Sequence, residues 1–266
     1  MSKVLYPLKK ATRNNKFISQ TYYEGSSFYP AHYGTASHAA IDIQSDHGNE
    51  LVACEDFNPY KVFSGATRDT ITGISKGWGF NALTAPDANG ICREYVYWHC
   101  MSNVVCKQGV PVARGDITAY EGDSGDVYSN GIKVPDSAKG KFPFPGTHLH
   151  WAYREVKMVM EGENCLVGMD GKAYRNPDNG MVYDVQNYDN GNKGFLDPML
   201  LDIVYYDEWV KEREDAARVL ANTVEIGTTV NNILPKLDEQ DAQTLVIDFS
   251  RFIQSIINWW NKGRSS

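Results

Sequence analysis

The sequence predicts a mainly β protein: an antiparallel β-sheet body, residues 1–204, followed by an α-helical C-terminal extension, residues 205–266. Short apolar or alternating runs follow one another from about residue 38 to 155 (AAIDIQ, NELVACE, YKVFSG, FNALTAP, REYVYWHC, THLHWAY), with Gly, Asn, Asp and Pro between them. Twenty-three glycines supply turns for such a body. After FLDPMLL the texture changes to long stretches with few glycines, as helices require. A chain of 266 residues accommodates one large domain with an appendage.

In a strand, side chains two apart share a face. Within SHAAIDIQ, His38, Ala40 and Asp42 therefore look one way, while Ala39, Ile41 and Ile43 meet the core. His and Asp four apart share a face on a helix as well. In EYVYWHC, Tyr95, Tyr97 and His99 fall on one face and Val96, Trp98 and Cys100 on the other. Residues 123–147 read as a long loop rich in Gly, Pro and Ser, and 161–195 as a second irregular stretch. Between them THLHWAY places His148, His150 and Ala152 opposite an apolar set of Leu149, Trp151 and Tyr153.

The extension begins with a helix over about 206–226. A second is expected over 238–260, where Leu245, Phe249, Phe252, Ile253, Ile256, Ile257 and Trp260 recur near helical spacing, with Pro235 between the two. Packing of that stripe on the preceding helix or the β body is the simpler reading. The alternative is docking onto a second copy or a virion or tail protein.

Bulk properties exclude several classes. A net charge of −7 without any basic run argues against nucleic acid as a partner. No apolar stretch is long enough for a membrane span, and MSKVLYPLKKATRNN lacks the apolar segment of a secretory signal. Five cysteines, odd in number and without a CxxC, suggest reduced, mostly buried thiols and no cysteine zinc site.

Three β segments thus each present His opposite an apolar face. One His–Asp pair plus one further His makes three N/O ligands, the number a catalytic zinc uses while keeping a position open. Two histidines are then left to act on water and substrate. His32 and His47 read as solvated or groove-wall residues, and Asp123 and Asp126 as turn residues with a lesser possibility of lining a groove rim.

This constellation resembles the lysostaphin/LytM-like zinc endopeptidases. The likeness runs from about His32 to Leu201, with HxxxD at His38–Asp42, Tyr-x-His at Tyr97–His99 and HxH at His148–His150 in family order. GVPVARGDITAYEGDSG and FLDPMLL resemble the family's connecting and closing stretches. The chain departs from the pattern at Ala40, Cys100 and Thr147, and its loop at 126–146 is longer. The resemblance implies Zn2+ held by His38, Asp42 and His150. It implies His99 and His148 as the catalytic pair, and an oxyanion-stabilising Tyr near Tyr33. It also implies peptidoglycan as substrate, cleaved in the stem peptide or cross-bridge. Together with the missing signal, this leads to the expectation of a bacteriophage enzyme, virion-borne or released on lysis and acting at the cell wall. The rival reading is a non-catalytic structural or tail-assembly protein that uses the fold as a scaffold.

Overall fold

The computed structural model of the chain describes residues 3–25, 29–30, 35–65, 75–159, 172–175 and 182–218. Among the described residues fifteen strands run in chain order. β1 (Val4–Leu5), β2 (Ile18–Gln20), β3 (Ile41–Ile43), β4 (Glu50–Val52) and β5 (Phe57–Phe63) come first. β6 (Trp78–Thr84), β7 (Ile91–Cys100), β8 (Ile117–Tyr120), β9 (Tyr128–Ser129) and β10 (Ile132–Lys133) follow. β11 (Leu149–Val159), β12 (Lys172–Arg175), β13 (Val182–Val185), β14 (Phe195–Leu196) and β15 (Ile203–Val204) complete the set.

The main sheet has the order β12-β13-β11-β7-β6-β5 and is antiparallel throughout. β11 is its spine. One edge of β11 pairs with β7 from His150 to Lys157. The other edge pairs successively with β3, β14 and β13. The expected antiparallel β body is therefore present. β1 and β15 lie parallel, tying the first strand to the last.

Alternation decides what each face buries. Ile41, Ile43, Tyr95, Tyr97, Leu149, Trp151 and Tyr153 enter one core with Tyr6, Phe57 and Phe80. Within it the Tyr95 and Trp151 rings are parallel at 6.4 Å, and Phe80 stacks on Tyr97 at 4.6 Å. Rings of this size dominate the apolar area that holds a sheet to what covers it. The opposite face carries small residues, Ala40, Val96 and Ala152, with Trp98 and Phe195 packed on them. That leaves room above the sheet.

Two expectations are corrected. The stretch 161–195 was read as irregular, yet β12 and β13 form a hairpin that extends the sheet. The runs KAYR and VYDV are only four residues each, too short to show a period. The loop over 126–146 likewise contains the β9–β10 hairpin and a 3-10 turn at Asp136–Ala138.

Residues 206–218 are helical, as expected for the start of the extension. Tyr206 and Trp209 pack on Leu5, Val52 and Val204 of the β body. Gly115 admits that indole, for a Cβ there would lie 2.3 Å from it. The second helix, expected at 238–260, lies outside the described residues. No described helix is long and apolar enough to cross a membrane. Cys54, Cys92, Cys100 and Cys106 are free and buried, as expected, and Cys165 lies outside the described residues.

Candidate metal centre and histidine cluster

The site is assembled where β3, β11 and β7 run side by side. His150 is the central residue, paired with Asp42 on one side and Trp98 on the other. Cross-strand partners share a face, so the carboxylate and the indole flank the imidazole. His38 precedes β3 and points the same way. Its Nε2 lies 3.3 Å from Asp42 Oδ1 and 3.3 Å from His150 Nδ1, which is itself 3.2 Å from Asp42 Oδ1. One ligand atom from each of the three side chains falls within 4.8 Å of the others.

The chemistry of this donor set fits a cation. His38 Nδ1 faces the Thr21 carbonyl oxygen at 3.3 Å, and a carbonyl only accepts, so the proton sits on Nδ1. In the neutral ring Nε2 then turns a lone pair toward the Asp42 carboxylate. Acceptors facing acceptors in a buried place are unfavourable unless a positive charge joins them. Two imidazoles and a carboxylate form a three-ligand set that leaves a coordination position open.

Two more histidines stand beside the trio. His148 Nδ1 donates to the Gly146 carbonyl at 2.8 Å, and its Nε2 is 3.8 Å from Asp42 Oδ2. His99 Nδ1 donates to the Ser124 carbonyl at 2.8 Å. Both partners are carbonyls, so in the neutral ring each Nε2 carries the lone pair. The His99 and His148 rings lie 4.7 Å apart, and His99 is 6.0 Å from His150. Asp42 and the four histidines of the three motifs are thus brought together.

Burial resists charging of this cluster. The His99 pKa is driven well below its ordinary value, first by desolvation and then by His148 and His150. His150 is lowered too, by burial, although Asp42 opposes the shift. At Asp42 burial acts in the raising direction but is outweighed by His148 and His38 and by bonds from His150 and His38. The net effect holds the carboxyl well below the usual range. Near neutral pH His99 and His150 are therefore neutral, each with a lone pair on one ring nitrogen.

One expected face is wrong, and the reason is a β-bulge. Tyr97 was expected on the His99 face; instead it is fully buried in the core, with its hydroxyl bonded to the Val52 carbonyl at 3.0 Å. Trp98, expected toward the core, stands on the site face beside His150. Between β6 and β7 the register runs from Trp78↔Cys100 to Phe80↔Tyr97, so Trp98 and His99 together oppose Gly79. His99 has φ +64°, which lets two consecutive side chains reach one face. A Cβ on Gly79 would sit 2.0 Å from the Tyr97 carbonyl oxygen. Glycine inside a strand run is the available signal, and SKGWGF, with Gly77 and Gly79, marks the bulge.

Of the remaining candidates, Tyr33 and His32 lie outside the described residues. His47 stacks on Phe144 at 4.2 Å, with Nε2 3.6 Å from Asp123, and holds the 123–147 segment against the body. Asp123 and Asp126 are buried rather than at a rim. Asp123 accepts from the Gly140 amide at 2.8 Å, and Asp126 from the Ser75 amide at 3.2 Å and from Lys133 at 3.0 Å.

No family model and no curated protein matches the chain. Among solved structures it is similar to the catalytic domain of the antimicrobial peptidase lysostaphin from Staphylococcus simulans. That match has 16% identity and a TM-score of 0.39, over 70% of this chain and 92% of that one. A zinc-containing peptidase from Vibrio cholerae matches at 17% identity and a TM-score of 0.36, over 57% of this chain and 36% of that one. LytU matches at 22% identity and a TM-score of 0.34, over 53% and 74%. Likeness at this level leaves the functional argument to the residues of the site themselves.

Proposed function

We propose that the protein is a zinc-dependent endopeptidase that hydrolyses peptide bonds in the stem peptide or cross-bridge of bacterial peptidoglycan. The observation that carries this reading is the convergence of His38, Asp42 and His150 within 4.8 Å, with two further imidazoles alongside. The order of the three motifs in the sequence supports the substrate class.

His38 Nε2, His150 Nδ1 and an Asp42 oxygen would hold the zinc. Bound zinc acidifies a water and polarises a carbonyl. His99 and His148 each present Nε2 with a lone pair, held by a carbonyl behind Nδ1. One of this pair takes the proton as water oxygen bonds to the peptide carbon. The same proton is delivered to the nitrogen as the C–N bond breaks, giving a carboxylic acid and an amine. The second proton of the water then passes from the acid to the amine, leaving a carboxylate and an ammonium group. Between these events the pair carries the positive charge and stabilises the oxyanion. The pocket excludes much of the solvent around His99, which keeps the proton within the pair.

Purified protein should contain about one zinc per chain, and its digestion of peptidoglycan should release new amino and carboxyl termini in equal number. A His38/Asp42/His150 triple alanine variant should lose both properties. A zinc-loaded chain that releases no termini from walls of several cross-link chemistries identifies a non-catalytic scaffold. The proposal includes a phage-borne setting, checked by the neighbouring coding sequences. It also includes docking of segment 238–260 on a second copy or a particle protein, checked by light scattering against a chain ending at Arg218.

A further inference from the structure

We propose that Trp98 is a positioning residue that fixes the ring plane of His150, taking the place of a hydrogen-bond acceptor. The inference rests on the metal-site reading above and gives a role to the unspecified middle position of its Tyr-x-His motif.

Metal-binding histidines are commonly oriented by a hydrogen bond from the ring nitrogen that does not face the metal. Three of the four histidines in the cluster follow this pattern, with Nδ1 on the carbonyl oxygens of Thr21, Ser124 and Gly146. His150 does not. Its Nδ1 faces Asp42 and His38, and among the described residues nothing accepts from its Nε2. What it has is a face: the Trp98 indole lies parallel to it, 10° between planes and 5.0 Å between centroids.

A stacked ring restrains tilt but slides unless it is fixed, and Trp98 is fixed. Indole Nε1 donates to Asn81 Oδ1 at 3.0 Å, and Asn81 Nδ2 donates to the Tyr60 hydroxyl at 3.1 Å. That hydroxyl in turn donates to Glu94, which is paired with Arg154. The Phe63 ring meets the indole edge-on at 6.4 Å, and the Lys76 ammonium lies 4.9 Å from its centroid. The regular pairing of β11 with β7 sets the indole beside His150, and the bulge opposite Gly79 adds His99 to the same face. The chain therefore spends a polar relay of Asn81, Tyr60, Glu94 and Arg154 on the orientation of one indole, and the face of that indole is laid on His150.

The test is zinc affinity, measured by competition with a chelator on folded full-length protein, together with the melting temperature of the zinc-free form. Trp98→Leu fills the space without a ring plane and should weaken zinc by about 10- to 100-fold, the usual cost of losing a partner behind a ligand. Trp98→Phe keeps a stacking face and should restore affinity to within roughly threefold of the parent. Asn81→Ala leaves the indole in place but unfastened and should weaken zinc by roughly threefold or more, which keeps the test alive should Trp98→Leu not fold. A merely structural role predicts that Phe and Leu differ in melting temperature and not in affinity. Parental affinity in both Trp98→Leu and Asn81→Ala, or equal loss in Leu and Phe, overturns the proposal. If the parent protein binds no zinc, or His150→Ala binds as well as the parent, the metal-site reading itself fails, a distinct result.

Discussion

Two buried carboxylates stand on the same face of the main sheet and are treated in opposite ways. Glu94 in β7 faces Arg154 in β11, with Nε to Oε2 at 2.5 Å, and Arg154 also lies over the Phe195 ring at 4.8 Å. Its charge is answered within the chain. Asp42 in β3 is ringed by imidazoles, and the nitrogens that approach it include a lone pair from His38. Its charge is answered only in part. Evenness of burial with unevenness of pairing separates a structural group from one arranged for a guest, because a buried charge persists only with a partner. Trp98 lies between the two, linked to Glu94 through Asn81 and Tyr60 and to the trio through His150.

The contrast can be broken at either end. The largest effect is expected at Asp42. Asp42→Ala should empty the metal site and reduce peptide-bond cleavage to background, while elemental analysis reports the lost zinc; retention of metal would remove Asp42 from the ligand set. Next comes Arg154→Met, which leaves the Glu94 carboxylate buried beside Tyr60 without its cation. Unfolding in denaturant should show a loss of about 3–5 kcal/mol, with zinc content unchanged in the folded fraction. A drop in zinc with no drop in stability would reverse the roles given to the two carboxylates.

His99→Ala and His148→Ala should each keep zinc while turnover falls by about a hundredfold or more. If His148→Ala empties the site and His150→Ala does not, the two members of HxH exchange places. The smallest effect concerns a third buried carboxyl, Glu121, which accepts from the Ser45 amide at 2.6 Å and from its hydroxyl. Burial pushes its pKa up to about 7 from the ordinary 4.5, against the pull of those bonds. The folded state then holds a proton that the unfolded chain has released, so the stability contributed by Glu121 is complete below about pH 4.5 and lost as pH rises to about 7. The stability difference between parent and Glu121→Gln should decline across that window by up to about 1.4 kcal/mol per pH unit. His99 and His150, whose pKa values are lowered, act in the other sense below pH 6.5, and the difference curve cancels them.

Where the pleat is regular, the sequence was sufficient. HxH in THLHWAY reads correctly because β11 runs unbroken from Leu149 to Val159, and the two histidines do face away from Leu149 and Trp151. HxxxD is legible for the same reason over Ile41–Ile43. Counting by twos fails at Trp98 because a bulge changes the count, and nothing within EYVYWHC itself announces it. The cue sits across the sheet in Gly79. The carbonyls of Thr21, Ser124 and Gly146 that fix the tautomers were beyond reach, since a backbone acceptor has no side-chain identity to read. The buried roles of Asp123 and Asp126 depend on how a long segment folds back on Ser75 and Gly140, which local spacing does not encode.

The bulge has one more consequence, for how densely chemistry can be written along a strand. On a regular strand a given face receives a side chain only about every 6–7 Å. Two neighbouring residues with different tasks must then come from different strands, each with its own demands on register. At Trp98 and His99 the face receives two in succession, an indole and an imidazole, from a single pair of adjacent codons. Deleting either one would restore the regular alternation with Cys100 still in phase with the core, and would take one of the two side chains from the site face. The strand can therefore lose its bulge without losing its register, and what it gives up is one side chain of the site.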